Sequence, residues 1–442
     1  MIAALCLLPS LPAAGAAAPK PEEWPTVPIR HFGFPLPDRS AQMWSALHVG
    51  SNGKLYIGLC THADAAMLYE FDPARETMRL LANLTVVAGE RGRGVWTTGK
   101  IHVQMQELDG YVYFGALCED NGPPAMDFSS FKGSHWYRAE MATGRVEQRA
   151  PVARYWGLLG QAMDPARRRI YGLAEDGRLY RYHIDQDWTE ELGRVDDWDI
   201  CRTIIADDEG NVYGTYAPGL VWKYEAATDR ILDFESTRLP VTTQSRTMAK
   251  PMLDRRAQWR IVEWDPVDRV VYGIVGGSNA LFRFNPKDGP EGSFTMLTQM
   301  CAPPFRAGDP FRVPPATLAM ALSPQARKIY YLPIIEGDFD YGAVRKFEAG
   351  ASAATNDMKA GGKAPRSFLV SYDLKTGERH DLGMLRAEDG RYAYGQGAAK
   401  VDSQGRLWFV GAFEESDPAR AAHPESSQRP YSLGLGCYLP RN

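Results

Sequence analysis

The chain has 442 residues, and 50 Lys and Arg against 54 Asp and Glu leave a formal net charge of −4. That balance excludes the basic footprint of a dedicated nucleic-acid binder. With 44% hydrophobic and 24% charged residues the composition excludes a disordered chain, while 42 glycines, 31 prolines and 21 tyrosines point to turn-rich β structure.

Met1 to Ala18 is apolar, ends in small residues and carries two prolines. It is too short and too interrupted for a membrane helix and reads as the back half of a secretory signal without its basic start. We therefore expect residues 1–18 to be a signal peptide, 19–442 to be one domain, and the location to be secreted or periplasmic. No later apolar run is long enough to span a bilayer. Cys60, Cys118, Cys201, Cys301 and Cys437 are widely spaced, without a C-x-x-C pattern, and read as buried free thiols.

From residue 53 onward one phrase recurs: a turn, an apolar residue, an aromatic anchor, then small and apolar residues. It appears as Gly53-Lys-Leu-Tyr56, Gly110-Tyr-Val-Tyr113, Arg169-Ile-Tyr171, Gly210-Asn-Val-Tyr213, Arg269-Val-Val-Tyr272, Lys328-Ile-Tyr330 and Gly405-Arg-Leu-Trp408. A second phrase follows the first six, as in Leu68-Tyr-Glu-Phe-Asp72, Trp136-Tyr-Arg-Ala-Glu140 and Val221-Trp-Lys-Tyr-Glu225. Period-two alternation bounded by glycine-bearing turns marks strands. Each copy reads as four strands, and such units repeated radially are propeller blades. The expectation is an all-β, seven-bladed β-propeller of four-stranded antiparallel blades, whose aromatic anchors pack between blades.

In such blades the hairpin joining the first two strands lies on one face. The start of the first strand, the loop between the second and third, and the connection between blades lie on the other. Long insertions between the second and third strands fall near Phe114–His135, Leu332–Phe368 and Val410–Tyr431, all on that second face, where binding is usually built. The register at the start of the first strands gives mostly small or apolar residues, but also His102 and Arg202. His62, His135, Tyr155 and Trp156 fall nearby on the same face.

Gly99-Lys-Ile-His102, Leu108-Asp-Gly-Tyr-Val-Tyr-Phe114, Gly133-Ser-His-Trp-Tyr-Arg and Met163-Asp-Pro-Ala-Arg-Arg-Arg-Ile-Tyr-Gly-Leu resemble the seven-bladed propeller polysaccharide lyases, including ulvan lyases and relatives acting on rhamnose–glucuronate linkages. The resemblance implies a site of two histidines, a tyrosine and an arginine. His102 matches the first histidine, Tyr155 approximates the tyrosine, and Arg202 stands one blade beyond the arginine. Where the family has Thr-His after the second strand, this chain has Ala116-Leu-Cys118-Glu-Asp. A Thr61-His62 pair stands in the neighbouring blade, with His135 also close.

The implied reaction is β-elimination at a uronic acid, with Arg202 on the carboxylate and His102 and Tyr155 moving protons. Trp136 and Trp156 would stack on sugar rings, or pack between blades. The expected partner is an acidic polysaccharide, met by a monomer without nucleic acid or membrane span. No cofactor is required; a structural calcium or zinc stays open. The acidic runs Asp196-Asp-Trp-Asp199 and Glu336-Gly-Asp-Phe-Asp340 lack the ordered spacing of a calcium loop. Two alternatives remain: an α-L-rhamnosidase-type hydrolase using His48, and a non-catalytic carbohydrate- or protein-binding propeller.

Overall fold

In the computed structural model every aromatic anchor of the recurring phrase lies in a strand. Tyr56, Tyr113, Tyr171, Tyr213, Tyr272, Tyr330 and Trp408 are each at most 4% exposed. The structure describes residues 24–35, 42–60, 66–93, 98–118, 131–195, 203–216, 219–240, 258–303, 316–336, 366–394, 397–415 and 431–440. Among these the only helix is one turn, Leu84–Val87. No helix among them is long and apolar enough to cross a membrane.

Local chemistry sets the strands and turns. Tyr111–Gly115 pairs antiparallel with Gln106–Leu108 and His135–Glu140. The hairpin turn Asp109–Gly110 has φ of 51° and 78°, the left-handed pair whose twist suits a two-residue connection. Other turns are closed by an aspartate that caps its own backbone. Asp72 Oδ1 accepts from Ala74 N at 2.9 Å, Asp373 Oδ1 from Lys375 N at 2.8 Å, and Asp402 Oδ1 from Gln404 N at 2.9 Å.

Small residues next to the anchors have a steric reason. Gly214, Gly273 and Gly436 lie directly across from Trp222, Phe282 and Phe409, and a Cβ on any of them would overlap that ring. Gly214→Ala is expected to cost about 1–3 kcal/mol through overpacking, read as a lower denaturant midpoint at unchanged slope. An unchanged midpoint would show that the Trp222 ring can move aside.

The cores lie between sheets. One joins Phe114, Trp136 and Tyr137 to Leu158, Tyr180 and Tyr182 of the next blade. Trp136 stacks on Tyr182 with ring centroids 5.3 Å apart. Contacts also reach across the centre: Gln104 Nε2 donates to Val262 O at 3.3 Å, and Lys400 pairs with Glu263.

The expectation of seven four-stranded antiparallel blades is corrected. Five sheets stand alone as blades, four of four strands and one of six. The strands of the last two sequence repeats form no separate blades but join in one ten-stranded sheet. The joint is Thr26–Gly33, a strand the repeat pattern did not reveal. Thr26 to Ile29 run parallel to Met384 to Ala387. Arg30 to Gly33 then pair antiparallel with Cys437 to Gly434. One strand thus serves two neighbours, and part of its pairing is parallel.

A histidine pins this joint. Arg391 donates to His31 Nδ1 at 2.9 Å, and the His31 ring lies 4.1 Å from that of Phe413. Burial, aided by the Arg391 charge, lowers the His31 pKa to about 4. The unfolded chain binds this proton near the ordinary value and the folded one does not. Stability is therefore present above about pH 6.5 and is lost as pH falls toward 4, by up to about 3 kcal/mol. His31→Gln should flatten that acid loss when its pH–stability curve is set against wild type; superimposable curves would contradict the assignment.

Cys60, Cys301 and Cys437 are buried thiols outside any disulfide, and burial pushes the Cys437 thiol up to about 12. No cluster of three or more His, Cys, Asp or Glu able to hold a metal occurs among the described residues.

Candidate functional site

Two chain segments meet at the corner between the second and third blades, and they bring together three of the residues singled out from sequence. The first segment is Gly133-Ser134-His135, at the start of strand His135–Glu140. The second is Val152 to Gly157, which leads from Val146–Pro151 into Leu158–Asp164. Val152 N donates to Ser134 O at 2.8 Å, and Ser134 N to Trp156 O at 3.1 Å. Gly133 has φ of 100°, and a Cβ there would strike the Ala153 carbonyl, so the close approach needs glycine.

Within this frame Ala153 and Trp156 form an isolated antiparallel bridge, with Arg154 and Tyr155 at the tip between them. Tyr155 has φ of 70°, a left-handed backbone that a bulky residue adopts only where its surroundings enforce it. The Arg154 guanidinium lies 4.8 Å from the centroid of the Tyr155 ring. Arg154 is exposed, while Tyr155 and Trp156 are half-buried.

The His135 side chain is also half-buried, and its Nδ1 is enclosed with no hydrogen-bond partner. A charged ring would place an N–H there with nothing to accept it. Desolvation by burial accordingly lowers the His135 pKa and favours the neutral ring.

His102 joins the same frame from beneath. Its Nδ1 lies 2.8 Å from Leu159 O, and because a carbonyl only accepts, Nδ1 carries the proton. Leu158 N in turn donates to Ala116 O, and Ala116 N to Ser134 Oγ at 3.3 Å. The His102 ring packs 5.1 Å from Trp44, over whose face the buried Lys100 ammonium sits at 4.3 Å. His102 is 0% exposed, so it supports the corner and presents no surface to a substrate.

The other expected residues fall differently. His62 and Arg202 lie outside the described residues, as do most of the three insertions and the greater part of both acidic runs. Of the two roles open for Trp136, the structure has it packed between blades: it is fully buried, and its Nε1 donates to Thr189 Oγ1 at 3.0 Å. His48 lies at the hairpin end of its strand, the opposite end from His102. There its Nε2 is 3.2 Å from Glu107 Oε2. Glu107 also accepts from the Ser51 N–H at 2.8 Å and from the Ser51 hydroxyl, and His48 and Ser51 together hold its carboxyl down to about 2. Sequence reasoning missed Arg154, whose one signal was its place beside Tyr155. It also missed Lys100, at the end of the short buried strand Thr98–Lys100.

No family model matches the chain, and no curated protein matches it. Solved structures do. The WD40 repeats of RRP9 are 10% identical with a TM-score of 0.54, covering 94% of this chain and 100% of theirs. A chain of the mitotic checkpoint complex is 10% identical with a TM-score of 0.52, covering 99% of each. An oligogalacturonate lyase in complex with manganese is 11% identical with a TM-score of 0.49, covering 95% of this chain and 98% of that one. Identities this low speak to architecture alone, and what the chain shares with the first two of these structures is the β-propeller fold.

Proposed function

We propose that this propeller cleaves uronate-bearing polysaccharide by β-elimination at the His135–Tyr155 corner. The observation that carries the reading is a histidine kept neutral by burial, on a segment fastened to a strained, half-exposed arginine–tyrosine tip. A neutral imidazole can take the C5 proton of a uronic acid. The C5–H electron pair then forms the C4–C5 double bond as the C4–O bond breaks, and the Tyr155 hydroxyl gives its proton to the departing oxygen. Arg154 faces the sugar carboxylate, where charge develops, and the half-buried Trp156 offers an apolar edge beside it.

Acidity of the substrate fits the same corner. A carboxylate bound beside His135 favours its protonated form, which restores the basicity that burial removes. His102 acts through the backbone it holds rather than on the sugar. The test is to incubate the protein with uronate-bearing and with neutral polysaccharides and follow the ultraviolet absorbance of the unsaturated product. Absorbance growing only with the acidic polymers is the expected result. New reducing ends without absorbance would replace elimination by hydrolysis, and binding without products would make the propeller a non-catalytic module.

A further inference from the structure

We infer that Glu175 is a positioning residue that sets the Tyr155 hydroxyl for proton transfer. Glu175 lies in the turn after strand Arg169–Ala174, closed by Gly177 N donating to Ala174 O at 3.0 Å. It grips Gly157, two residues beyond Tyr155, from both sides. The Gly157 N–H donates to Glu175 Oε2 at 3.0 Å, and the Glu175 N–H donates to Gly157 O at 3.0 Å.

A left-handed tyrosine persists only where neighbouring contacts over-determine it. The contacts around this tip are the Ala153–Trp156 bridge, Val152 N to Ser134 O, Ser134 N to Trp156 O, and the Glu175 grip. The first three are backbone to backbone. The Glu175 carboxylate is the one among these that a substitution removes while leaving the chain path in place. Without it the buried Gly157 N–H loses its acceptor, and the Arg154–Tyr155 tip gains the freedom to relax toward a right-handed backbone. Tyr155 would then sample many positions in place of one, a cost felt where its proton moves and not where the sugar binds.

The kinetic half of this inference rests on the elimination reading, whereas the structural half does not. The test uses the full chain, with trypsin cleavage at the Arg154–Tyr155 bond mapped by mass spectrometry and, in parallel, kcat and KM on a uronate polymer. Glu175→Ala should be nicked after Arg154 about tenfold faster than wild type, with kcat down about tenfold and KM within about twofold. Glu175→Gln keeps an oxygen that accepts from Gly157 N, and should restore both rates to within about twofold. Wild-type nicking in Glu175→Ala would overturn the inference, as would Glu175→Gln behaving like Glu175→Ala, or faster nicking with unchanged kcat. If wild type yields no unsaturated product, the elimination reading fails alone, and the nicking rates still decide whether Glu175 holds the tip.

Discussion

His135→Ala should lower turnover on a uronate polymer by about 10²–10⁴-fold, the range for loss of a general base. The substitution removes a half-buried ring whose Nδ1 has no partner, so no hydrogen bond from that atom is broken. Melting temperature should therefore change far less than rate. The pH profile gives an independent check. Only the neutral ring accepts a proton, so kcat/KM, which reports the free enzyme, rises with pH through the His135 pKa, and burial places that limb below the ordinary histidine value. Wild type should still be active at mildly acidic pH, and the variant's residual rate should have lost this limb. A variant that turns over at the wild-type rate would remove His135 from the reaction and send the search for a base elsewhere on the face.

Removing residues up to and including Gly33 should destabilise the fold by about 5 kcal/mol or more. Val27 and Ile29, at 6% and 2% exposure, would leave the core at about 2 kcal/mol each. The ladders to both neighbouring strands would be lost as well, at about 1 kcal/mol per net hydrogen bond. Arg391 would lose its histidine acceptor, and Phe413 the ring packed on it. Thermal unfolding followed by circular dichroism should show a large fall in midpoint or a broad, uncooperative loss. A sharp transition at the wild-type temperature would mean that the ten-stranded sheet holds without its joint.

Much of the fold was legible because it is local. An aromatic anchor and the glycine beside it, as in Tyr213-Gly214 and Tyr272-Gly273, are chain neighbours, and a turn aspartate such as Asp72 caps the backbone two residues on, so they recur as readable phrases. The joint was not legible, since Thr26–Gly33 has no anchor and finds its partners at the far end of the chain. Counting phrases therefore gave seven blades where five stand alone. At the site, counting strand ends put His135, Tyr155 and Trp156 near one another, and backbone hydrogen bonds join the two segments that carry them. The enclosure of His102 was hidden, because it depends on Trp44 and Leu159 from two other strands. The left-handed backbone of Tyr155 was hidden too. No residue type announces it, and the glycine that permits it, Gly133, lies on the opposing segment.

The joint also sets an order of events. Arg30 pairs with Cys437, so a strand near the start of the chain must wait for roughly 400 further residues before both its edges are covered. Contacts this distant in sequence close slowly, because the intervening loop must be drawn in first. Until then the N-terminal strand and the edge of Tyr431–Tyr438 are bare hydrogen-bonding templates, open to pairing with another molecule. The last stage of folding is thus the one most exposed to aggregation, and the half-buried His31–Arg391 contact forms only once that stage is complete.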